Sequence, residues 1–214
     1  MGTNYTASTT ETTHGSGNGG SLMWPWEHAA VAYIGYSVVT RVTTGETPSA
    51  GPVIALLVGS QLPDLIDKPL AWWLQLLPSG RSLAHSLVFA LPFVTLGVWM
   101  ARRYRRTDLG VALGVGYLLH LPGDVVYPVL FGDRPAYGFL FYPFVPREGY
   151  VESDALGKIT RLFGDFLGFL GTPRGMMYLS GELGLLVVAL WLWVWDGKPG
   201  FSAFSRRLRG AIAG

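Results

Sequence analysis

Apolar residues along the chain gather into five long runs separated by short polar punctuation. Residues 28–40 and 48–63 carry no formal charge, and 83–101 form nineteen residues whose only titratable group is a histidine. Residues 109–123 are charge-free and the apolar run resumes after Asp124 as far as Phe131, while 178–195 contain only Glu182. Crossing a bilayer takes about 20 apolar residues at about 1.5 Å rise each. The third and fifth runs meet that length, and the fourth does if it passes Asp124. The first two span if interfacial residues such as Trp24 and Trp26 flank them or if the bilayer thins. Period-two alternation is absent, which disfavours the strands of a membrane barrel. The pattern predicts an all-α, polytopic membrane bundle of about five transmembrane helices.

Two stretches between the runs have structure of their own. Residues 68–77 (KPLAWWLQLL) follow Asp67 and stop at Pro78-Ser79-Gly80, which describes a short helix with Asp67 as N-cap, Pro69 in its first turn, and Trp72 and Trp73 at the interface. Residues 133–177 are mixed, with a Pro- and aromatic-rich part at 139–146 and an amphipathic helix expected over 154–170, placed on the outer surface and partly embedded. Residues 1–22 are rich in Ser, Thr and Gly with one charge, Glu11, and read as a disordered tail. The tail lacks the basic and apolar regions of a signal peptide. It contains a Met1-Gly2…Thr6 myristoylation-type pattern and the sequon Asn4-Tyr5-Thr6, both too short to be specific, and His14 belongs to it. The helical domain then covers 23–196, and 197–214 form a basic tail.

Composition supports the membrane reading. Half of the residues are hydrophobic, 14% are charged, mean hydropathy is +0.33 and the net charge is +2. Soluble domains carry about 25% charged residues. These values disfavour a disordered chain and a nucleic-acid binder, and the absence of cysteine excludes disulfides and thiolate metal sites. Arg102, Arg103, Arg105 and Arg106 follow the third run, and Arg206, Arg207 and Arg209 follow the fifth. The positive-inside rule places both clusters in the cytoplasm, so strict alternation puts the N-terminus outside and the C-terminus inside. The expected location is the cell membrane, multi-pass, with the lipid bilayer as partner and no nucleic acid.

Ionisable groups inside apolar runs are expensive and point to function. Here they are His28 at the start of the first run, Asp64 and Asp67 at the end of the second, His85 near the start of the third, His120 and Asp124 near the end of the fourth, and Glu182 near the start of the fifth. Alternating helices bring all of these to one membrane face. Imidazole and carboxylate are the ligand set for zinc and similar divalent ions. His120 and Asp124, four apart, share a helix face, although Pro122 between them suggests a kink. Blander readings stand beside these. His28 is also a reasonable interfacial histidine beside Trp26, Asp67 an N-cap, Asp64 a cap of its own turn, and Glu182 a partner for Arg174. Arg81 and Lys68 read as interfacial anchors or as phosphate partners.

The stretches WPWEHAAVAY, GSQLPDLID, GRSLAHS and GYLLHLPGD, in that order over residues 24–132, resemble the YdjM-like family of integral membrane proteins, and its haloarchaeal branch in particular. That family carries a His on an N-terminal apolar helix, then G-S-x-L-P-D-x-D-H, H-R-G-x-T-H-S and G-Y-L-x-H-x-x-x-D. The resemblance implies a metal-dependent hydrolase. The chain departs from the pattern in having two residues between Asp64 and Asp67, Lys68 where a His follows, Gly80 for the first His of H-R-G, and Ala84 before His85. HLPGD is also similar to the H-x-x-G-D segment of the zinc-dependent phospholipase C and nuclease superfamily, which implies a phosphoester substrate.

The expectation is therefore a divalent metal, zinc foremost and manganese next, held by His28, Asp64, His85, His120 and Asp124. Asp67 is expected as general base and Arg81 as the group facing substrate phosphate, with a lipid or amphiphile as substrate. A non-catalytic metal-binding or structural membrane protein is the alternative. A transporter fits less well, because the polar groups gather at one end of the helices and no internal repeat is found.

Overall fold

The computed structural model describes residues 23–130, 137–145 and 155–201. The N-terminal tail and Arg206, Arg207 and Arg209 lie outside these residues. Those described form an all-α structure: α1 (Pro25–Thr44), α2 (Ala50–Trp72), α3 (Leu87–Arg103), α4 (Thr107–Leu130), α5 (Ala155–Leu170) and α6 (Pro173–Trp195), with a 3-10 turn at Gly138–Phe141. No strand occurs among the described residues. Two helices, α4 and α6, are long and apolar enough to cross a membrane.

Local chemistry sets the helix ends. Pro25 occupies the first turn of α1, where its missing N–H is no loss, and Glu27 folds back onto the Trp24 N–H. α1 stops at Gly45, whose left-handed φ of 72° lets its N–H close on the Arg41 carbonyl. Ser86 caps α3 by accepting from the Val88 N–H at 3.1 Å, and Thr172 caps α6 from the Gly175 N–H at 3.0 Å.

One expectation is corrected here. Residues 68–77 do not form a separate helix: α2 runs through Pro63, Asp67 and Pro69 to Trp72, so Asp67 lies inside a helix rather than at its N-cap. α4 likewise continues through Pro122 and Pro128, keeping His120 and Asp124 on one buried face. Proline removes one backbone bond each time, and packing against neighbours compensates. The amphipathic helix expected over 154–170 is α5 within the described residues.

α4 is the central helix, flanked by α1, α2 and α3; α6 packs on α1, and α5 on α6. α2 and α4 approach to backbone contact at Gly59 and Gly116. A Cβ on Gly59 would overlap the Leu113 carbonyl oxygen, and one on Gly116 the Leu56 carbonyl oxygen. Small residues at such crossings let helices in membranes approach closely. Beside an apolar core that includes Ala32, Val53, Leu56 and Leu121, the bundle encloses Glu27, His28, Asp64, Asp67, His85, His120 and Asp124, whereas Leu91, Leu96, Trp99, Val187 and Trp191 face outward.

At the end of the bundle remote from these polar groups, Asp196 binds α1. It accepts from the Tyr33 hydroxyl at 2.6 Å, the Ser37 hydroxyl at 2.7 Å and Arg41 Nε at 2.9 Å. Burial pushes the Asp196 carboxyl up, but these hydrogen bonds and the Arg41 charge outweigh it and hold it below the usual carboxylate range.

Candidate metal centre

His28, Asp64, His85, His120 and Asp124 come together, supplied by α1, α2, the segment preceding α3, and α4. All are buried. His85, His120 and Asp124 offer atoms within 4.8 Å of one another, as do His28, Asp64 and His120.

Hydrogen bonds orient the two central imidazoles. His85 Nδ1 lies 2.8 Å from Asp67 Oδ2, and His120 Nδ1 lies 2.7 Å from the Ser60 carbonyl oxygen. Each Nδ1 faces an acceptor and donates to it, which turns each Nε2 inward. Those two Nε2 atoms meet at 3.1 Å. Two neutral rings would set lone pair against lone pair, so a positive centre, a proton or a metal ion, belongs between them.

Carboxylates converge on the same point. His85 Nε2 is 3.4 Å from Asp64 Oδ1 and 3.3 Å from Asp124 Oδ2; His120 Nε2 is 3.9 and 3.6 Å from the same two atoms. Bonds of about 2.1 Å to a tetrahedral ion place ligand atoms about 3.4 Å apart. The separations within His85, His120 and Asp124, from 3.1 to 3.6 Å, straddle that value.

A single proton between the imidazoles does not satisfy the whole cluster. Both ring nitrogens of His28 and the Oδ2 of Asp124 are buried without a hydrogen-bond partner. The His28 ring stacks on His120 at 3.6 Å between centroids, with Nε2 3.7 Å from Asp124 Oδ1. Buried polar atoms left unpaired in this way are costly, and a cation that accepts their lone pairs removes the cost. The residues present therefore fit a divalent ion.

Two cations of the protein's own border the cluster. Lys68 Nζ contacts Asp64 Oδ2 at 2.5 Å, and Arg81 contacts Asp124 Oδ1 at 3.1 Å while lying over the Phe139 ring. Trp72 and Trp24 carry contacts from α5 through Lys158, Phe163 and Phe166, so α5 crosses the same end of the bundle.

Asp67 lies beside the cluster without facing it. Its Oδ2 accepts from the Ser82 N–H, the His85 N–H and His85 Nδ1, and its Oδ1 from the Ala84 N–H at 2.8 Å. It is fully buried, and every one of its partners belongs to the segment carrying His85. Glu182 is a correction: it does not pair with Arg174. It turns inward on the α6 face shared with Tyr178, toward Glu27, while Arg174 remains exposed. Sequence reasoning also missed Ser60, whose part is a backbone carbonyl, and Glu27, although a carboxylate beside His28 in an apolar helix is a signal of the same kind.

Residues 23–198 match the model of the YdjM inner membrane protein family. No curated protein and no solved structure matches the chain. The family match and the two apolar helices mark a membrane protein.

Proposed function

The chain belongs to the YdjM inner membrane protein family, and on that premise we propose that it is a multi-pass, metal-dependent hydrolase acting on a phosphoester bond of a lipid or amphiphile at the outer membrane face. The observation that carries the reading is the meeting of two oriented Nε2 atoms with the Asp64 and Asp124 carboxylates in a buried space. His85, His120 and Asp124 would hold the ion, zinc in preference to manganese because two imidazoles contribute, with His28 and Asp64 as further ligands. A divalent ion supplies Lewis acidity there, toward water and toward an oxygen of the substrate.

The residues around it have separable roles. Asp67 holds the His85 ring by its Nδ1–H and, through three backbone N–H groups, the segment that carries it. With four donors engaged, it is a positioning residue, and the general-base role expected of it falls to a carboxylate of the cluster. Arg81, paired with Asp124 at the rim, is placed to bring guanidinium N–H groups to a phosphoryl oxygen. α4, with two prolines but no break, keeps His120 and Asp124 in register.

One observation favours a second reading, a metal-binding protein without turnover. Lys68 occupies an oxygen of Asp64, which leaves that carboxylate only one oxygen for an ion. Two measurements decide between these readings. Protein purified in mild detergent is expected to retain near-stoichiometric zinc or manganese by elemental analysis, and His85→Ala and His120→Ala to lose it while staying folded. A panel of phospholipid and phosphoester substrates is expected to show turnover that both variants lack. Metal retained by both variants at the wild-type level would overturn the site. Metal without turnover would leave the non-catalytic reading.

A further inference from the structure

The bundle encloses a second acidic group that the metal centre does not use. Glu27 on α1 is fully buried, Glu182 on α6 is 8% exposed, and the two are neighbours, because Glu182 lies one helical turn beyond Tyr178, whose hydroxyl bonds Glu27. Glu27 is well supplied with donors. The Tyr127 hydroxyl and the Tyr178 hydroxyl, the latter at 2.9 Å, both donate to its Oε1, and the Trp24 N–H donates to its Oε2. Glu182 has none: both of its oxygens are buried without a hydrogen-bond partner. Among the described residues no Lys, Arg or His forms an ion pair with either glutamate. Phe166 and Phe169 of α5 close the group on one side by packing against Tyr178.

Two neighbouring carboxyl groups offer only acceptors when ionised, so a positive centre, a proton or a metal ion, belongs between them, and no Lys, Arg or His among the described residues supplies it. We propose that Glu27 and Glu182 bind a hard divalent cation, calcium or magnesium, with the Tyr127 and Tyr178 hydroxyl oxygens beside it. The donor set is all oxygen and carries two formal negative charges, which suits those ions and contrasts with the imidazole-rich centre nearby. The second site stands apart from the first but shares its supports. Glu27 immediately precedes His28 on α1, and Tyr127 follows Asp124 by three residues on α4. A cation here ties α6 to α1 and α4, next to the helices that carry the first centre.

The test uses the full-length protein in mild detergent, first saturated with zinc and then titrated with calcium or magnesium chloride by calorimetry and thermal unfolding. One further equivalent is expected to bind, with Tm rising by about 5 °C at a hundredfold excess over Kd. Glu182→Gln is expected to abolish both effects without changing zinc content, and His85→Ala to keep them. Absence of the extra equivalent in the wild type would overturn the proposal and leave a shared proton as the positive centre. Wild-type calcium and magnesium binding by Glu182→Gln, or loss of binding in His85→Ala, would also overturn it by placing the cation elsewhere. Should Glu182→Gln not fold, the wild-type stoichiometry and the His85→Ala arm still decide.

Discussion

Replacing Asp67 with asparagine separates two roles a buried carboxylate beside a metal centre can have. The carboxylate accepts three bonds at Oδ2 and one at Oδ1. Asparagine keeps one oxygen, and it serves best at the Oδ2 position, where it still meets the Ser82 N–H, the His85 N–H and His85 Nδ1. Its NH2 then confronts the Ala84 N–H, donor against donor. Leaving that buried N–H unpaired costs about 1–3 kcal/mol. The His85 ring keeps a neutral acceptor in place of a charged one, and loss of such support lowers metal affinity by about 10–100-fold. Asp67→Asn is therefore expected to fold with a lowered Tm and to bind zinc 10–100-fold more weakly, measured by competition with a chromophoric chelator in detergent. Turnover, where found, should recover as zinc is raised. A variant that binds zinc like the wild type yet turns over nothing at saturating metal would refute the positioning role and return Asp67 to general base.

Further expectations concern the frame. Gly116→Ala drives a methyl into the Leu56 carbonyl oxygen, which backbone cannot easily yield; a loss of at least about 1–3 kcal/mol is expected, with weaker metal retention, read by Tm and elemental analysis. Asp196→Asn removes charged hydrogen bonds from Tyr33, Ser37 and Arg41, and a loss of about 1–3 kcal/mol at pH 7 is expected as a fall in Tm. Because the folded-state carboxyl is held below its ordinary value, its contribution is full above the unfolded pKa of about 3.9 and fades as pH falls through the folded one. The Tm gap between wild type and Asp196→Asn should thus narrow below pH 4, and a gap unchanged at pH 3 would contradict the assignment.

The chain announced its helical class and the residues that converge because both follow from the same imbalance. Charge is scarce in the apolar runs, so His85, His120 and Asp124 stand out, and helix alternation brings them to one level. What local rules misjudged were places where distant packing wins. Pro63 and Pro69 read as boundaries, yet α2 runs through them against α4. Asp67 read as a cap because its true partners, the backbone N–H groups of residues 82, 84 and 85, lie in a loop that only the tertiary fold returns to it. Glu182 was matched to a nearby arginine, whereas its neighbour Glu27 is 155 positions away in sequence. The Ser60 carbonyl that orients His120 has no side-chain signature at all.

The backbone contact at Gly59 and Gly116 bears on how an ion would be accommodated by the candidate centre. With carbonyl oxygens seated against the facing helix, α2 and α4 have no slack to slide, so Asp64, His120 and Asp124 form a stiff half of the ligand set. His85, though on a loop, is pinned by Asp67 and belongs with them, whereas His28, on a helix held less extensively and with both ring nitrogens unpartnered, is the compliant member. Selectivity among ions bound there would then reside in how far His28 can travel.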